Sequence, residues 1–317
     1  MRALITGGAG FIAFHVASRL LAQGHDLALV DNFNDFYDPG IKRGNVRDLQ
    51  AIGPISLHEI DILDQEGLRR VFEKTRPETI IHLAAWAGVR PSLKRPALYA
   101  NVNITGTVHL LDLAREFGTE RFIFGSSSSV YGGNTKVPFS EDDPADRPIS
   151  PYAATKRAGE LLCHTYSHNY GMHITCLRFF TVYGPRQRPE MAIHRFAHLL
   201  WEGKEIPVYG DGQSLRDYTY VDDIVSGLLA AMELNLRYGI FNLGESQTIT
   251  LRELIALLES GLSRKARLCF LPPQPGDMEV TFADISKARK ILGYQPKTPI
   301  QEGIRKFVAW FIQSKSP

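Results

Sequence analysis

Short apolar runs alternate with amphipathic stretches through the first half of the chain. Residues 3–5, 27–30, 55–60, 79–83, 121–125 and 174–177 are the apolar runs, and each predicts a strand. Residues 11–23 predict a helix with Ile12, Val16, Leu20 and Leu21 on one stripe, ended by Gly24. Further helices are expected over 65–74, 97–117 and 152–170, and one more between the second and third strands. Apolar strands without strict alternation are buried on both faces, which calls for parallel pairing with helices above and below. The order is that of an α/β fold with a doubly wound parallel (Rossmann) sheet.

The pattern changes near residue 180. Residues 182–214 and 244–317 are richer in Pro and Gly, with short strands, and predict a smaller α/β domain that binds substrate. The helix 221–234 and the strand 240–243 return to the first domain, so that domain comprises 1–181 and 215–243.

Composition adds boundaries. The 317 residues, 44% hydrophobic and 22% charged, are enough for about two ordinary globular domains. The net charge is +2 with no block of five like charges, so nothing asks for nucleic acid or an anionic membrane. Three scattered cysteines, Cys163, Cys176 and Cys269, form neither a disulfide framework nor a metal site. No apolar stretch is long enough to span a bilayer and no signal-peptide layout appears, so a cytoplasmic protein is expected.

Candidate chemistry begins after the first strand, with Thr6-Gly7-Gly8-Ala9-Gly10-Phe11-Ile12-Ala13. A glycine-rich turn opening a helix lets the backbone approach a pyrophosphate at the helix N-terminus. Gly7 and Gly10 fill the first two roles, and Ala13 takes the third, where a small residue allows close helix packing. Asp31 ends the second strand, where a carboxylate accepts ribose hydroxyls and repels a 2′-phosphate. That favours NAD over NADP, although Lys42 and Arg43 lie nearby.

Tyr152 and Lys156 stand at i and i+4, on one face of a helix. An ammonium there lowers the tyrosine pKa from its ordinary value of ~10 and makes a proton-transfer group. Upstream, Ser126-Ser127-Ser128-Ser129 lies at the carboxyl end of the fifth strand, where such sheets bind ligands. A solvated helix pair and an ordinary serine loop are the plain alternatives; their position in one dinucleotide fold favours chemistry.

TGGAGFI, HLAA (82–85), SSSSVYG, PYAATK and RDYTYVDD (216–223) occur in order along the chain. Together they resemble the extended short-chain dehydrogenase/reductase family of nucleotide-sugar epimerases and dehydratases. Ala13 departs from the family's usual glycine. The resemblance implies NAD contacts from Gly7, Gly10, Phe11, Ile12, Asp31, Asn32, Asp61, Ile62, Leu83, Ala84, Ala85, Asn103, Tyr152 and Lys156. It implies a catalytic trio of Ser127, Tyr152 and Lys156. It also implies a homodimer through helices 97–117 and 152–170, with Leu98, Val102, Leu110, Leu161, Leu162 and Tyr166 offering apolar surface.

Dehydratases of the family carry an acidic residue in the serine loop, and this chain has none, which favours redox at C4. The stretches 31–39 and 179–192 resemble those of UDP-glucuronate 4-epimerases. Arg188, or Arg186, could pair with a sugar carboxylate, and Thr181 could add a hydrogen bond. The segment around Val208, with Arg216, resembles the nucleotide and diphosphate site, and Asp277 a second nucleotide contact. The expected activity is an NAD-dependent UDP-sugar 4-epimerase acting on UDP-glucuronate through a 4-keto intermediate. UDP-glucose or an N-acetylhexosamine derivative is the alternative substrate, and a non-catalytic cofactor sensor the remote one.

Overall fold

The computed structural model describes residues 1–273 and 278–315. Six strands from the first part of the chain, β1 (Arg2–Thr6), β2 (Asp26–Asp31), β3 (Ile55–Glu59), β4 (Thr79–His82), β5 (Arg121–Ser127) and β6 (His173–Phe179), join Tyr238–Leu243 in one sheet. All pairs are parallel, in the order Tyr238–Leu243, β6, β5, β4, β1, β2, β3. The strand order reverses beside β1, and the crevice there, at the carboxyl ends of β1 and β4, is where such sheets bind ligands.

Register explains the apolar runs. Leu29, Ile5, Ile81 and Ile123 line up across four strands and face one core, while Ala28, Leu4, Ile80, Phe122 and Ile174 line up one residue away and face the other. The first core is covered by α1 (Phe11–Ala22) and the helix Val221–Met232. Over the second lie three helices: α3 (Gln65–Thr75), α6 (Gly106–Glu116) and α7 (Pro151–Tyr170). The helix expected between β2 and β3 is α2 (Pro39–Ile52), whose Asp38 side chain caps the Gly40 amide at 2.8 Å ahead of Pro39.

The single helix expected over 97–117 is three pieces. After α4 (Val89–Lys94) come α5 (Pro96–Ala100), a π-turn at Asn101–Thr105, and α6. The wide turn seats Asn103 beneath Trp86, whose amide donates to its Oδ1 at 2.8 Å and whose carbonyl accepts from its Nδ2 at 3.0 Å. Of the residues expected on a partner-facing surface, Leu110 and Val102 are buried in the second core, because the helices they ride on turn those positions toward the sheet. Leu161 stays exposed.

Late in the chain, Thr181–Tyr183 pairs with Tyr218–Tyr220, Glu205–Tyr209 with Arg267–Leu271, and Leu215–Arg216 with both Ile249–Thr250 and Val280–Thr281. Helices Ala192–Trp201, Leu251–Leu262 and Ile300–Lys315 pack with these around Phe196, Leu254, Leu258, Phe307 and Phe311. Asp217 knits the segments together: its buried carboxylate accepts from the Glu245, Ser246 and Ala283 amides and from Thr219. Among the described residues no helix is long and apolar enough to cross a membrane.

Candidate active site

A cavity of about 470 Å³ runs from the first glycine turn, over the ends of β1 and β4, to the short strands of the late segments. At one end, Gly7 has φ +66°, and a Cβ on it would stand 2.8 Å from the Ala84 amide nitrogen. Only glycine meets both demands. Gly10 caps α1 without a side-chain bond, so the first-turn amides face the cavity uncapped. Ala13 is buried in the first core, so its methyl group fills space at the helix–sheet contact.

Asp31 follows on the rim. Its oxygens accept from the Phe33 amide at 2.8 Å and the Ala9 amide at 3.2 Å, and Lys42 Nζ lies 3.4 Å from Oδ1. Arg43 points away to Glu59. Asn32 donates to Asp61 at 2.7 Å. Gly7, Gly10, Phe11, Ile12, Asp31, Asn32, Asp61, Ile62, Leu83, Ala84 and Ala85 all line the cavity. A glycine turn with no room for Cβ, uncapped helix amides and a rim carboxylate are the donor set that a dinucleotide requires.

Asn103 does not line the cavity. Its amide is committed to Trp86 and to Thr155 Oγ1, so it braces the wall behind Ala84 and Ala85. His82 braces the same wall from β4. Thr107 donates its hydroxyl proton to the Asn103 carbonyl, so it accepts from His82 Nε2–H at 2.9 Å, and Nδ1 accepts from Thr6 at 2.7 Å. Burial holds this imidazole neutral, with its pKa lowered to about 3, and the Lys156 charge adds to the effect.

Ser150 caps α7 at the Ala153 amide, with Pro151 in the first turn, and this aims Tyr152 and Lys156 into the cavity beside Ser127. Burial raises the Tyr152 phenol above its ordinary value, while a hydrogen bond with Ser127 and the Arg188 charge pull it down. The pull that sequence reasoning assigned to Lys156 therefore comes from Ser127 and Arg188 in this structure. Lys156 Nζ instead donates to the Gly125 carbonyl at 2.7 Å. Burial lowers the Lys156 pKa to about 8, against the opposing influence of Cys163 and Glu160.

Beyond this trio, Ser128, Ser129, Thr181, Arg188 and Arg216 line the same cavity. Ser129 is among the lining residues, and its Oγ is buried with no hydrogen-bond partner among the described residues. Arg188 and Arg186 part company. Arg188 lines the cavity, with Nε 3.0 Å from Glu190 and its guanidinium over Phe36. Arg186, at φ +66°, turns outward onto Phe14, Asn45 and Asp48. Val208 is fully buried in the first core and does not reach the cavity, because its strand alternates and the neighbouring positions face outward. Asp277 lies outside the described residues.

Sequence reasoning missed an aromatic wall. Phe36 meets Trp86 edge to face at 5.4 Å, Trp86 leads to Tyr99, and Tyr99 stands edge-on to Tyr152 at 6.3 Å. Trp86 directly follows the HLAA motif, which was the available signal.

The comparisons with known proteins agree with this geometry. Residues 3–244 match the model of the NAD dependent epimerase/dehydratase family. A UDP-glucuronate 4-epimerase of Thermodesulfobacterium geofontis is 44% identical over 308 residues, covering 97% of this chain and 95% of its own. The crystal structure of UDP-glucuronic acid 4-epimerase from Bacillus cereus, with UDP-glucuronic acid and NAD, superposes with a TM-score of 0.93 at 36% identity, covering 99% of this chain and all of that one. A UDP-glucose 4-epimerase from Thermotoga maritima, with UDP-glucose, gives 0.91 at 35% identity with full coverage of both chains. The likeness thus extends past the glycine turn to the late segments that close the other end of the cavity, and the chain belongs to the NAD dependent epimerase/dehydratase family.

Proposed function

We propose that this protein is an NAD-dependent UDP-sugar 4-epimerase whose substrate is UDP-glucuronate, interconverted with UDP-galacturonate. The observation that carries the substrate choice is Arg188, a guanidinium in the cavity wall close enough to act on Tyr152. A planar fork of that kind suits a carboxylate on C6, which a neutral hexose lacks.

Gly7, Gly10 and the α1 amides would hold the NAD pyrophosphate, Asp31 the adenosine ribose, and Lys156 the ribose nearer the reaction. NAD, when bound, supplies reversible hydride exchange with C4 of the sugar. The protein moves the proton. Tyr152 accepts the C4 hydroxyl proton, with Ser127 bridging the two oxygens, and returns it when hydride comes back to the other face of the sugar. Burial raises the phenol above its ordinary value, and the pull of Ser127 and Arg188 works the other way, toward the phenolate that opens the cycle. Ser129 and Thr181 supply hydroxyls to the sugar, and Arg216 charge to the diphosphate. Arg188 has a second duty: a 4-keto uronate is a β-keto acid, and a clamped carboxylate is kept out of line with the carbonyl π-system.

Residues 1–181 and 215–243 form the NAD-binding unit in this reading, and 182–214 with 244–317 the nucleotide-sugar unit. A cytoplasmic homodimer accompanies it, supported by three free cysteines and by exposed Leu93, Leu161 and Tyr170 on helices α4 and α7. The decisive experiment incubates the protein separately with UDP-glucuronate and UDP-glucose and resolves the products. UDP-galacturonate from the first, at a rate well above UDP-galactose from the second, is expected; the reverse ranking overturns the substrate choice.

A further inference from the structure

Three side chains one helical turn apart, Tyr152, Lys156 and Glu160, set α7 against the end of β5. Tyr152 lines the cavity with Ser127, whose hydroxyl pulls the phenol pKa down, Lys156 Nζ donates to the Gly125 carbonyl at 2.7 Å, and Ser126 Oγ donates to Glu160 Oε1 at 2.7 Å. Positions i, i+4 and i+8 share a helix face, and their partners are three successive residues of one strand.

The third tie is anchored differently from the other two. Glu160 is fully buried, away from the cavity lining. Arg178 on β6 grips both its oxygens, at 2.8 Å each, and Arg157 reaches Oε2 at 2.9 Å. A carboxylate held on four sides has one orientation, and its hydrogen bonds to charged donors are the strong kind. The helix also lies tight on the strand: a Cβ on Gly159 would come within 2.3 Å of the Phe124 ring. In the proposed function Lys156 would share its ammonium between the Gly125 carbonyl and a cofactor hydroxyl. Glu160 has no such second duty.

We propose that Glu160 and Ser126 are positioning residues for the epimerisation: their hydrogen bond sets the last residues of β5 against α7 and so holds the Ser127 hydroxyl in reach of the Tyr152 phenol. This rests on the reading of Tyr152 and Ser127 as the proton-transferring pair. Neither Glu160 nor its bond to Ser126 touches the reacting atoms; the pair acts through Ser127.

The test is Ser126→Ala in the full-length holoenzyme, which deletes the tie and leaves the Glu160–Arg178 pair whole. Misplacing a reacting group by ~1 Å costs on the order of 100-fold, so kcat on UDP-glucuronate is expected to fall ~10- to 100-fold, with KM and bound NAD(H) unchanged. The groups facing the phenol are Ser127 from β5, Arg188 from the loop after Thr181–Tyr183, Tyr99 from α5 and Lys156 on α7 itself. Weakening the Ser127 contact leaves the phenol a poorer acid, so the acid limb of the kcat–pH profile moves to higher pH. Glu160→Gln, which keeps the size and removes the charge, is expected to move the limb the same way. A folded Ser126→Ala enzyme with wild-type kcat, or with a lowered kcat and an unmoved pH limb, overturns the proposal. Tyr152→Phe runs alongside. If that variant retains turnover, the assignment of the base has failed; if it is dead while Ser126→Ala behaves as wild type, only the positioning role has failed.

Discussion

Replacing Arg188 with alanine separates the two substrate readings. The guanidinium lines the cavity and its side chain is 23% exposed, so a carboxylate paired with it is largely shielded from water. Its standing partner Glu190 is 40% exposed, and an ion pair so open to solvent contributes little and competes weakly. A hydrogen bond to a charged group contributes about 1.5–3 kcal/mol. At ~1.4 kcal/mol per decade, Arg188→Ala should lower kcat/KM for UDP-glucuronate by roughly 10- to 150-fold. A second effect falls on both substrates. Arg188 pulls the Tyr152 pKa down, so its loss moves the acid limb of the rate profile to higher pH. Both substrates should therefore be assayed on the alkaline plateau, where that shift cancels. There, activity on UDP-glucose should change by less than about threefold, well inside ~1.4 kcal/mol per decade. The freed carboxylate should also let a decarboxylated UDP-4-keto-pentose appear among the products. Equal losses on the two substrates would refute the reasoning and make Arg188 a structural residue.

Tyr152→Phe should cost at least ~100-fold in kcat, within the range for losing general acid–base catalysis, with the circular dichroism spectrum unchanged. Gly7→Ala should yield protein that purifies without NAD(H), because the new methyl meets the Ala84 amide at 2.8 Å and φ +66° strains any side chain; absorbance of the denatured supernatant checks this. His82 binds a proton far less readily folded than unfolded, its pKa being lowered from 6.5 to about 3. Its contribution is therefore complete above pH 6.5 and is lost as pH falls toward 3, at ~1.4 kcal/mol per unit. Urea titrations at pH 7 and pH 5 should differ by about 2 kcal/mol from this group, and His82→Gln should flatten the difference. Light scattering at micromolar concentration should give twice the mass of the 317-residue chain, and Leu161→Glu should halve it.

The strands, the glycine turn and the Tyr152–Lys156 spacing were legible in the sequence because each is a local property. Apolar runs report burial on both faces, and a helix repeat places i and i+4 together wherever the helix lies. Much of the cavity wall followed from them, since the carboxyl ends of parallel strands converge. What stayed hidden depended on partners distant along the chain. Arg186 and Arg188 are two residues apart in one loop, and only the packing of α1 and α2 against that loop turns the first outward and leaves the second in the cavity. The π-turn sets the Asn103 amide under Trp86, and the alternation of its strand buries the Val208 side chain, placements that no local pattern around either residue shows. The Glu160–Arg178–Ser126 cluster joins three elements whose charges in sequence resemble any surface residues. A buried charge needs its counter-charge within hydrogen-bond distance, and tertiary structure alone brings the two together.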